Sequence, residues 1–573
     1  MNRASVSPSL PLTLARHLTT LDSLKSTIFY AFLFRYFLRF TRHLRARGLL
    51  TTAHETYLTA AQWGFELAVR WVPSVKNRVK GELDQVTREL QDKLAPSSIR
   101  SLTSLTLPAH GLSHSEISSA LDALANVPNT KWEEGRVSGA VYNGSEEVGR
   151  IWREAFEKFE VSNPLHADVF PGVRAMDSAI VSICLSLFNS PLPVDAVDEN
   201  GGCGTTTSGG TESILMACKA YRDRARVEYG ITEPEMIVPI SAHAAFDKAA
   251  SYFGIKIHHI PVDRETRKVN LKRVKKAINP NTIMLVGSAP NFPDGAIDDI
   301  SALSSLALSA GGRNGRIGLH VDCCLGSFLV PFLEEAGFET VPFDFRVEGV
   351  TSISCDTHKY GFAPKGSSVI MYRSKALRKH AYSVLTSWPG GVYATPTLAG
   401  SRPGAVLAGT YASLLHLGHS GYLSSCLSIV GAAKKLVAAI RADFPELYVL
   451  GDPLVSVVAF GSRDEKEVGR EREGGVGRGR VSIYEVGDHL SRLGWHLNAL
   501  QHPPALHIAC TRLTVPAVED FLRDLRRAVD EVKGEEGKGT GSMVMLYGLG
   551  SSSAVGPGLV GQMASRYIDV MYS

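Results

Sequence analysis

Charge of one sign is what this chain most lacks. Its 573 residues carry 61 Lys and Arg against 57 Asp and Glu, a net of +4, and that balance removes any global electrostatic case for a nucleic-acid partner. Cysteine is sparse as well. The eight residues (Cys184, Cys203, Cys218, Cys323, Cys324, Cys355, Cys426 and Cys510) include no CxxC pair. That spacing excludes a disulfide framework, leads us to expect no metal site, and fits reduced thiols in a cytosol-facing protein. No internal repeat is present. The chain also has no clean apolar run of ~20 residues near its start, the length a spanning helix needs.

What the N-terminus does have is "STIFYAFLFRYFLRF" (26–40), aromatic and apolar but interrupted by Arg35 and Arg39. Arg35, Arg39, Arg42, Arg45 and Arg47 flank it, with no acidic residue before Glu55. If the segment inserts, that bias leaves the downstream chain cytosolic. Two readings stay open here: a helix that spans, or an amphipathic helix lying in the membrane interface or against the protein. A cleaved signal peptide is disfavoured, because the run begins only at residue 26 and no small-residue cleavage site follows it.

An apolar share of 44% with 21% charged residues is ordinary for a folded protein, and the length predicts two or three domains. We divide the chain into a membrane-associated segment (1–50), a helical lead-in (51–134), a large domain (135–400) and a smaller C-terminal domain (401–573). In the lead-in, "HETYLTAAQWGFELAVRWV" and "KGELDQVTRELQDKL" space apolar residues three to four apart. From about 135 the texture alternates, as in "EMIVPI" then "AAFDKAASYFG", and "TIMLVGS" then "AIDDISALSSLALSAG". "IGLHVD", "GVTSIS" and "SSVIMY" follow. Such alternation predicts an α/β fold with a mostly parallel central sheet and helices on both faces, with ligands at the carboxyl ends of the strands. After 400 a helical stretch precedes "LVSVVAFGS" and "RVSIYEV", both read as strands of an α+β unit. Between them "GSRDEKEVGREREGGVGRGR" (461–480) reads as a solvated, flexible insertion.

Four features carry chemistry. "GCGTTTSGGTESILMACKAYRDRA" (202–225) runs from a Gly/Thr/Ser loop into a helix beginning near Thr211, so Gly209, Gly210 and Thr211 can present free N–H groups to a phosphate. The loop matches neither GxxxxGK[ST] nor GxGxxG. "GLHVDCC" ends a buried strand on Asp322, a carboxylate that needs a cation or strong donor. His243 of "SAHAAFDKAASYFG" stands at a strand-to-helix junction, where its ring can stack on a planar ligand. "SCDTHKYGFAPKGSS" (354–368) places Lys359 between His358 and Tyr360, with Lys365 six residues on. Singly, each has an ordinary structural explanation. Together they describe a holder for a phosphate, a ring, a ring nitrogen and an aldehyde, which is pyridoxal 5′-phosphate. Asp322 would keep the ring nitrogen protonated and Lys359 would join the aldehyde, with His358 and Tyr360 hemming in that junction.

"SCDTHKYGFAPKGSSVIMY" resembles the cofactor-lysine segment of the pyridoxal-dependent group II decarboxylase-like proteins, whose fold is the PLP-dependent transferase fold type I. "RVSGAVY", "NPLHADVFPGVRAMDSAIV", "TSGGTESI", "SAHAAFDKAA", "HVDCCLG", "GGVYATPTLAGSRPG" and "GWHLNALQHPPALHIA" carry the same likeness, from about 110 to the end. Cys323 and Cys355 depart from it, standing where smaller residues are expected. The resemblance implies a lyase that cleaves long-chain base 1-phosphates by a retro-aldol step into a long-chain aldehyde and phosphoethanolamine. It assigns Lys359, Tyr142, His166 and Lys365 to catalysis, and Lys365, Arg402, Tyr142 and His166 to the substrate phosphate. It further implies a homodimer with shared active sites, membrane lipid as a partner, and the endoplasmic reticulum membrane with the site facing the cytosol. Two rivals share parts of this pattern. An amino-acid decarboxylase of the same fold has no use for a second phosphate site, and a non-catalytic lipid-binding scaffold has no use for Lys359, Asp322 and His243 together.

Overall fold

The computed structural model describes residues 21–572 except 95, 105, 129, 192–197, 312–314, 464–480 and 535–555. Most of the expected 461–480 insertion therefore lies outside the described residues, as do residues 1–20 of the expected N-terminal segment.

A seven-stranded sheet forms the centre. Its strands are β1 (Cys203–Thr207), β2 (Glu235–Pro239), β3 (Lys256–Ile260), β4 (Thr282–Ser288), β5 (Gly318–Asp322), β6 (Val350–Cys355) and β7 (Ser368–Tyr372). They lie in the order β1-β7-β6-β5-β4-β2-β3. β3, β2, β4, β5 and β6 are parallel to one another, while β7 runs antiparallel to both β6 and β1. Strands buried on both faces read as continuous apolar runs, as "TIMLVGS" does. β1 is a departure from the sequence pattern: "CGTTT" reads as part of a loop, yet it is a strand and all five residues are buried. Small side chains are what this position admits. A Cβ on Gly204 would sit 2.7 Å from the Ile370 carbonyl and 2.9 Å from Val181.

A hairpin, β8 (Ser383–Leu385) with β9 (Tyr393–Thr395), leads to a second, antiparallel sheet. Its strands β10 (Leu447–Val449), β11 (Val457–Ser462), β12 (Asn498–Leu500) and β13 (Ala505–Ala509) lie in the order β10-β11-β13-β12. The expected strand in "RVSIYEV" is corrected here, because Ile483–Arg492 is a helix. Ile483, Tyr484, Val486, Gly487, His489 and Leu490 are its buried residues, a helical set in which the short alternating run is only the beginning.

The helices used below are α1 (Leu21–Arg47), α2 (Leu49–Trp71), α3 (Pro73–Leu94), α4 (Pro171–Leu187), α5 (Gly210–Tyr229), α6 (Ala245–Phe253) and α7 (Gly404–Asp443). α2 and α3 contain the two lead-in helices expected from periodicity. α7 bends at Gly418, whose φ of 56° and ψ of −175° belong to a region essentially reserved for glycine. α1 packs its second half against β3 and the helix Leu271–Ala277. Four of the five flanking arginines are spent there: Arg35, Arg39 and Arg42 reach Glu233, Arg42 also reaches Glu235, and Arg47 pairs with Glu55.

Candidate active site

The carboxyl ends of β5 and β6 build the site. Register pairs Asp322 with Ser354, so the residue that ends β5 lies beside the last turn before the Lys359 loop. Asp322 is buried and accepts from the Cys324 amide (3.1 Å) and the Ser354 hydroxyl (3.2 Å) through Oδ1. Ser354 also lies 3.3 Å from His320 Nε2, and His320 Nδ1 lies 2.8 Å from Ser352. Burial pushes His320 down to about 4, so this relay behind Asp322 is uncharged at neutral pH. Phe246 of α6 packs edge-on against His320 at 5.9 Å, tying the helix that follows His243 to the strand that ends at Asp322. His243 itself is exposed and accepts from the Ala245 amide through Nδ1.

From Cys355 the chain makes a tight double turn, with Lys359 N donating to Asp356 O and Phe362 N to Lys359 O. It presents Lys359 inward. The Lys359 ammonium lies 2.8 Å from Asp356 Oδ2, and His358 Nε2 lies 3.7 Å from the same oxygen. Burial alone would lower the Lys359 amine, but Asp356 and neighbouring Tyr142 outweigh it and hold the amine above its usual range. For Asp356, burial alone would raise the carboxyl; Lys359 and His358 reverse that and keep it below the usual carboxylate range. Asp356 was not singled out from the sequence. The available signal was its position three residues before Lys359.

The expected phosphate cradle closes onto this pair. A Cβ on Gly210 would come within 2.9 Å of both Asp356 oxygens and 2.7 Å of Cys324 Sγ, and one on Gly209 within 3.4 Å of His358. The helix α5 starts at Gly210 and not at Thr211, and Thr211 is exposed on its first turn. Asp356 Oδ1 is buried without a partner. The residues fit pyridoxal phosphate: an open backbone cradle at a helix start, a buried carboxylate at a strand end, and a lysine between them.

Lys365 stands on the other wall, its ammonium 4.6 Å from the centre of the Tyr142 ring. Burial and the Lys359 charge push Lys365 below the usual lysine range. Tyr142 is buried, packs edge-on to Tyr360 at 4.9 Å, and has its phenol pushed up by burial to about 12.

His166 and Arg402 form a separate group. Asn163 Oδ1 accepts from the Arg402 amide and Asn163 O from the His166 amide, which ties the "NPLH" and "GSRPG" turns together. The Arg402 guanidinium is held by Asp177 (2.9 Å) and the Thr206 hydroxyl (2.6 Å). It lines a cavity of about 400 Å³ with Arg174, Lys375 and Arg378. Within one chain, then, Tyr142, His358, Lys359, Lys365, Gly209 and Gly210 are brought together, whereas His166 and Arg402 are tied to each other through Asn163, with Arg402 bound to Thr206 of β1.

Fold and site together define a pyridoxal-dependent enzyme of fold type I. Residues 158–463 match the family described as "Pyridoxal-dependent decarboxylase conserved domain". The chain is 43% identical over 561 residues to the sphingosine-1-phosphate lyase of Saccharomyces cerevisiae, covering 96% of this chain and 89% of that one. It is 40% identical over 512 residues to sphingosine-1-phosphate lyase 1 of Rattus norvegicus, covering 88% and 84%. Among solved structures, the sphingosine-1-phosphate lyase Bpss2021 of Burkholderia pseudomallei superposes with a TM-score of 0.69 at 40% identity, over 75% of this chain and 94% of that one. The glutamate decarboxylase of Lactobacillus brevis, 19% identical with a TM-score of 0.63 over 76% and 96%, shares the fold. The chain belongs to the sphingosine-1-phosphate lyase family.

Proposed function

We propose that this chain uses pyridoxal 5′-phosphate to cleave the C2–C3 bond of long-chain base 1-phosphates, releasing a long-chain aldehyde and phosphoethanolamine. The observation that carries this reading is the pairing of two anion positions side by side. The glycine cradle beside Lys359 and Asp356 suits the cofactor phosphate, and Lys365 on the Tyr142 wall suits a second phosphate, that of the substrate.

In the reaction, the C3 hydroxyl loses its proton, the C2–C3 bond breaks with its electron pair left on C2, C3 becomes the aldehyde carbon, and C2 regains a proton. Pyridoxal phosphate, when bound, supplies the electron sink for that pair. The protein supplies the rest. Asp322, oriented by Cys324 N and Ser354, would hold the ring nitrogen protonated. Gly209, Gly210 and Thr211 would receive the cofactor phosphate at the start of α5, His243 would stack on the ring, and His358 with Tyr360 would hem in Lys359. Lys359 moves a proton at Nζ, which requires it to give up the proton that Asp356 now stabilises. Tyr142, with its phenol near 12, stays neutral at physiological pH and acts as a donor, not a base. Lys365 holds the substrate phosphate.

His166 and Arg402 join that phosphate site from a second copy of the chain, which makes the enzyme a homodimer with shared sites. The long alkyl chains of substrate and aldehyde favour a membrane setting, and we place the enzyme at the endoplasmic reticulum with its site toward the cytosol. The domain division at 50, 134 and 400 remains our working organisation.

The test is a product assay on the full chain with pyridoxal phosphate and sphinganine 1-phosphate. Aldehyde and phosphoethanolamine should appear in equal amounts from the wild type and not from Lys359→Ala. Lys365→Ala should retain the visible absorbance of bound cofactor and lose turnover. Cofactor binding without cleavage would overturn the lyase reading.

A further inference from the structure

The turn between β1 and α5 carries a buried acid that the cofactor reading leaves unused. Glu212, on the first turn of α5, is 8% exposed. Its Oε2 accepts from both the amide and the hydroxyl of Ser208, at 2.7 Å each. Its Oε1 accepts from the Leu398 amide at 3.1 Å. A carboxylate this near a phosphate-receiving helix start repels the anion for which the turn is suited. The Ser208 bonds alone have the form of a helix cap, in which an acid on the first turn reaches back to an amide just before the helix. The bond to Leu398, 186 residues away in sequence, is outside what a cap requires.

Leu398 opens a short segment, 398–402, whose far end is fixed to the same run of chain. Arg402 donates to the Thr206 hydroxyl at 2.6 Å and to Asp177 at 2.9 Å, and Asn163 donates to the Ser401 hydroxyl at 3.1 Å. Thr206 stands just before Ser208, so both ends of the segment are tied to the strand end and turn that lead into α5. Upstream, the hairpin β8–β9 offers little hold, because Val384, Leu385, Trp388 and Val392 are each more than half exposed. Glu212 is thus the charged anchor at the front of the segment. We propose that Glu212 is a positioning residue: its carboxylate fastens segment 398–402 to the cofactor-phosphate turn and so sets where Arg402 meets the substrate phosphate. The role of Arg402 rests on the lyase reading above, whereas the fastening stands apart from it. Glutamine in this place offers one accepting oxygen where glutamate offers two, so it cannot serve Ser208 on one side and Leu398 on the other.

The test is amide hydrogen exchange on the full chain, read on peptides covering 396–402, with steady-state kinetics beside it. In the wild type the Leu398 amide should exchange slowly; exchange at the rate of an open loop would overturn the fastening, whatever the activity. In Glu212→Gln, exchange across 396–402 should rise about tenfold, as expected for the loss of one charge-assisted hydrogen bond, with bound pyridoxal phosphate at the wild-type level. KM for sphinganine 1-phosphate should rise by a similar factor, and kcat should change less than KM. Faster exchange confined to 208–212, with 396–402 unmoved, would make Glu212 a helix cap and overturn the proposal. Faster exchange across 396–402 with KM unmoved would overturn the part that concerns substrate. A wild type that shows the slow Leu398 amide and cleaves no substrate would overturn the lyase reading and leave the fastening in place.

Discussion

Asp356 holds the proton on Lys359, the residue we propose for proton transfer. Asp356 is the foremost influence that offsets burial on Lys359, so losing its charge draws the amine down. Asp356→Asn should therefore keep the absorbance of bound cofactor, shift the pH–rate profile toward lower pH, and reduce turnover by on the order of 10²-fold, the low end for a positioned proton-transfer group. An unmoved profile would show that Asp356 exerts no hold on the amine. Gly210→Ala tests the cradle in the same terms. Its Cβ would press on both Asp356 oxygens, so the variant should fold normally yet lose cofactor on dialysis, measured by residual bound pyridoxal phosphate. Lys359, Asp322, His358 and the two glycines were readable in sequence because their chemical types are rare in combination. Asp356 was not readable: an acid three residues before a lysine is a commonplace surface pair, and only burial between β5, β6 and α5 makes it consequential.

Elements were legible wherever periodicity was long. "TIMLVGS" and the two lead-in helices needed only their hydrophobic spacing, whereas "CGTTT" and "RVSIYEV" did not announce themselves. β1 is buried through small residues that carry almost no hydropathy, and Ile483–Arg492 begins with a run that alternates before its helical period emerges. The seam between α1 and the sheet is likewise a tertiary fact, made of residues far apart in sequence. At that seam burial would raise Glu235, but hydrogen bonds from His258 and Asn279 keep its carboxyl below the usual range. A depressed carboxylate contributes stability above its unfolded value, about 4.3, and that contribution is lost as pH falls through the folded value. Docking of α1 should therefore weaken in acid, seen as faster proteolysis near Gly48 as pH drops below about 4.3. Glu235→Gln should lose on the order of 3 kcal/mol at neutral pH by leaving Arg42 without its buried partner. It should also show less dependence of that cleavage on acid.

At the scale of the molecule, one chain holds Lys359 with Lys365 and links His166 to Arg402 through Asn163. If two copies complete each site, mixing inactive Lys359→Ala with inactive His166→Ala should restore roughly a quarter of wild-type turnover under random subunit exchange. No recovery, with exchange verified by mass, would leave each chain complete by itself. The placement of α1 has one more consequence, for anyone preparing this protein. β3 is the last strand on its side of the sheet, and α1 lies along it. A terminal strand stripped of its cover offers unpaired peptide groups as a template on which a neighbouring chain can add a strand. Trimming residues 1–47 to obtain a more soluble sample would thus remove exposed aromatic side chains and, by the same cut, open a nucleus for self-association, exchanging one kind of stickiness for another.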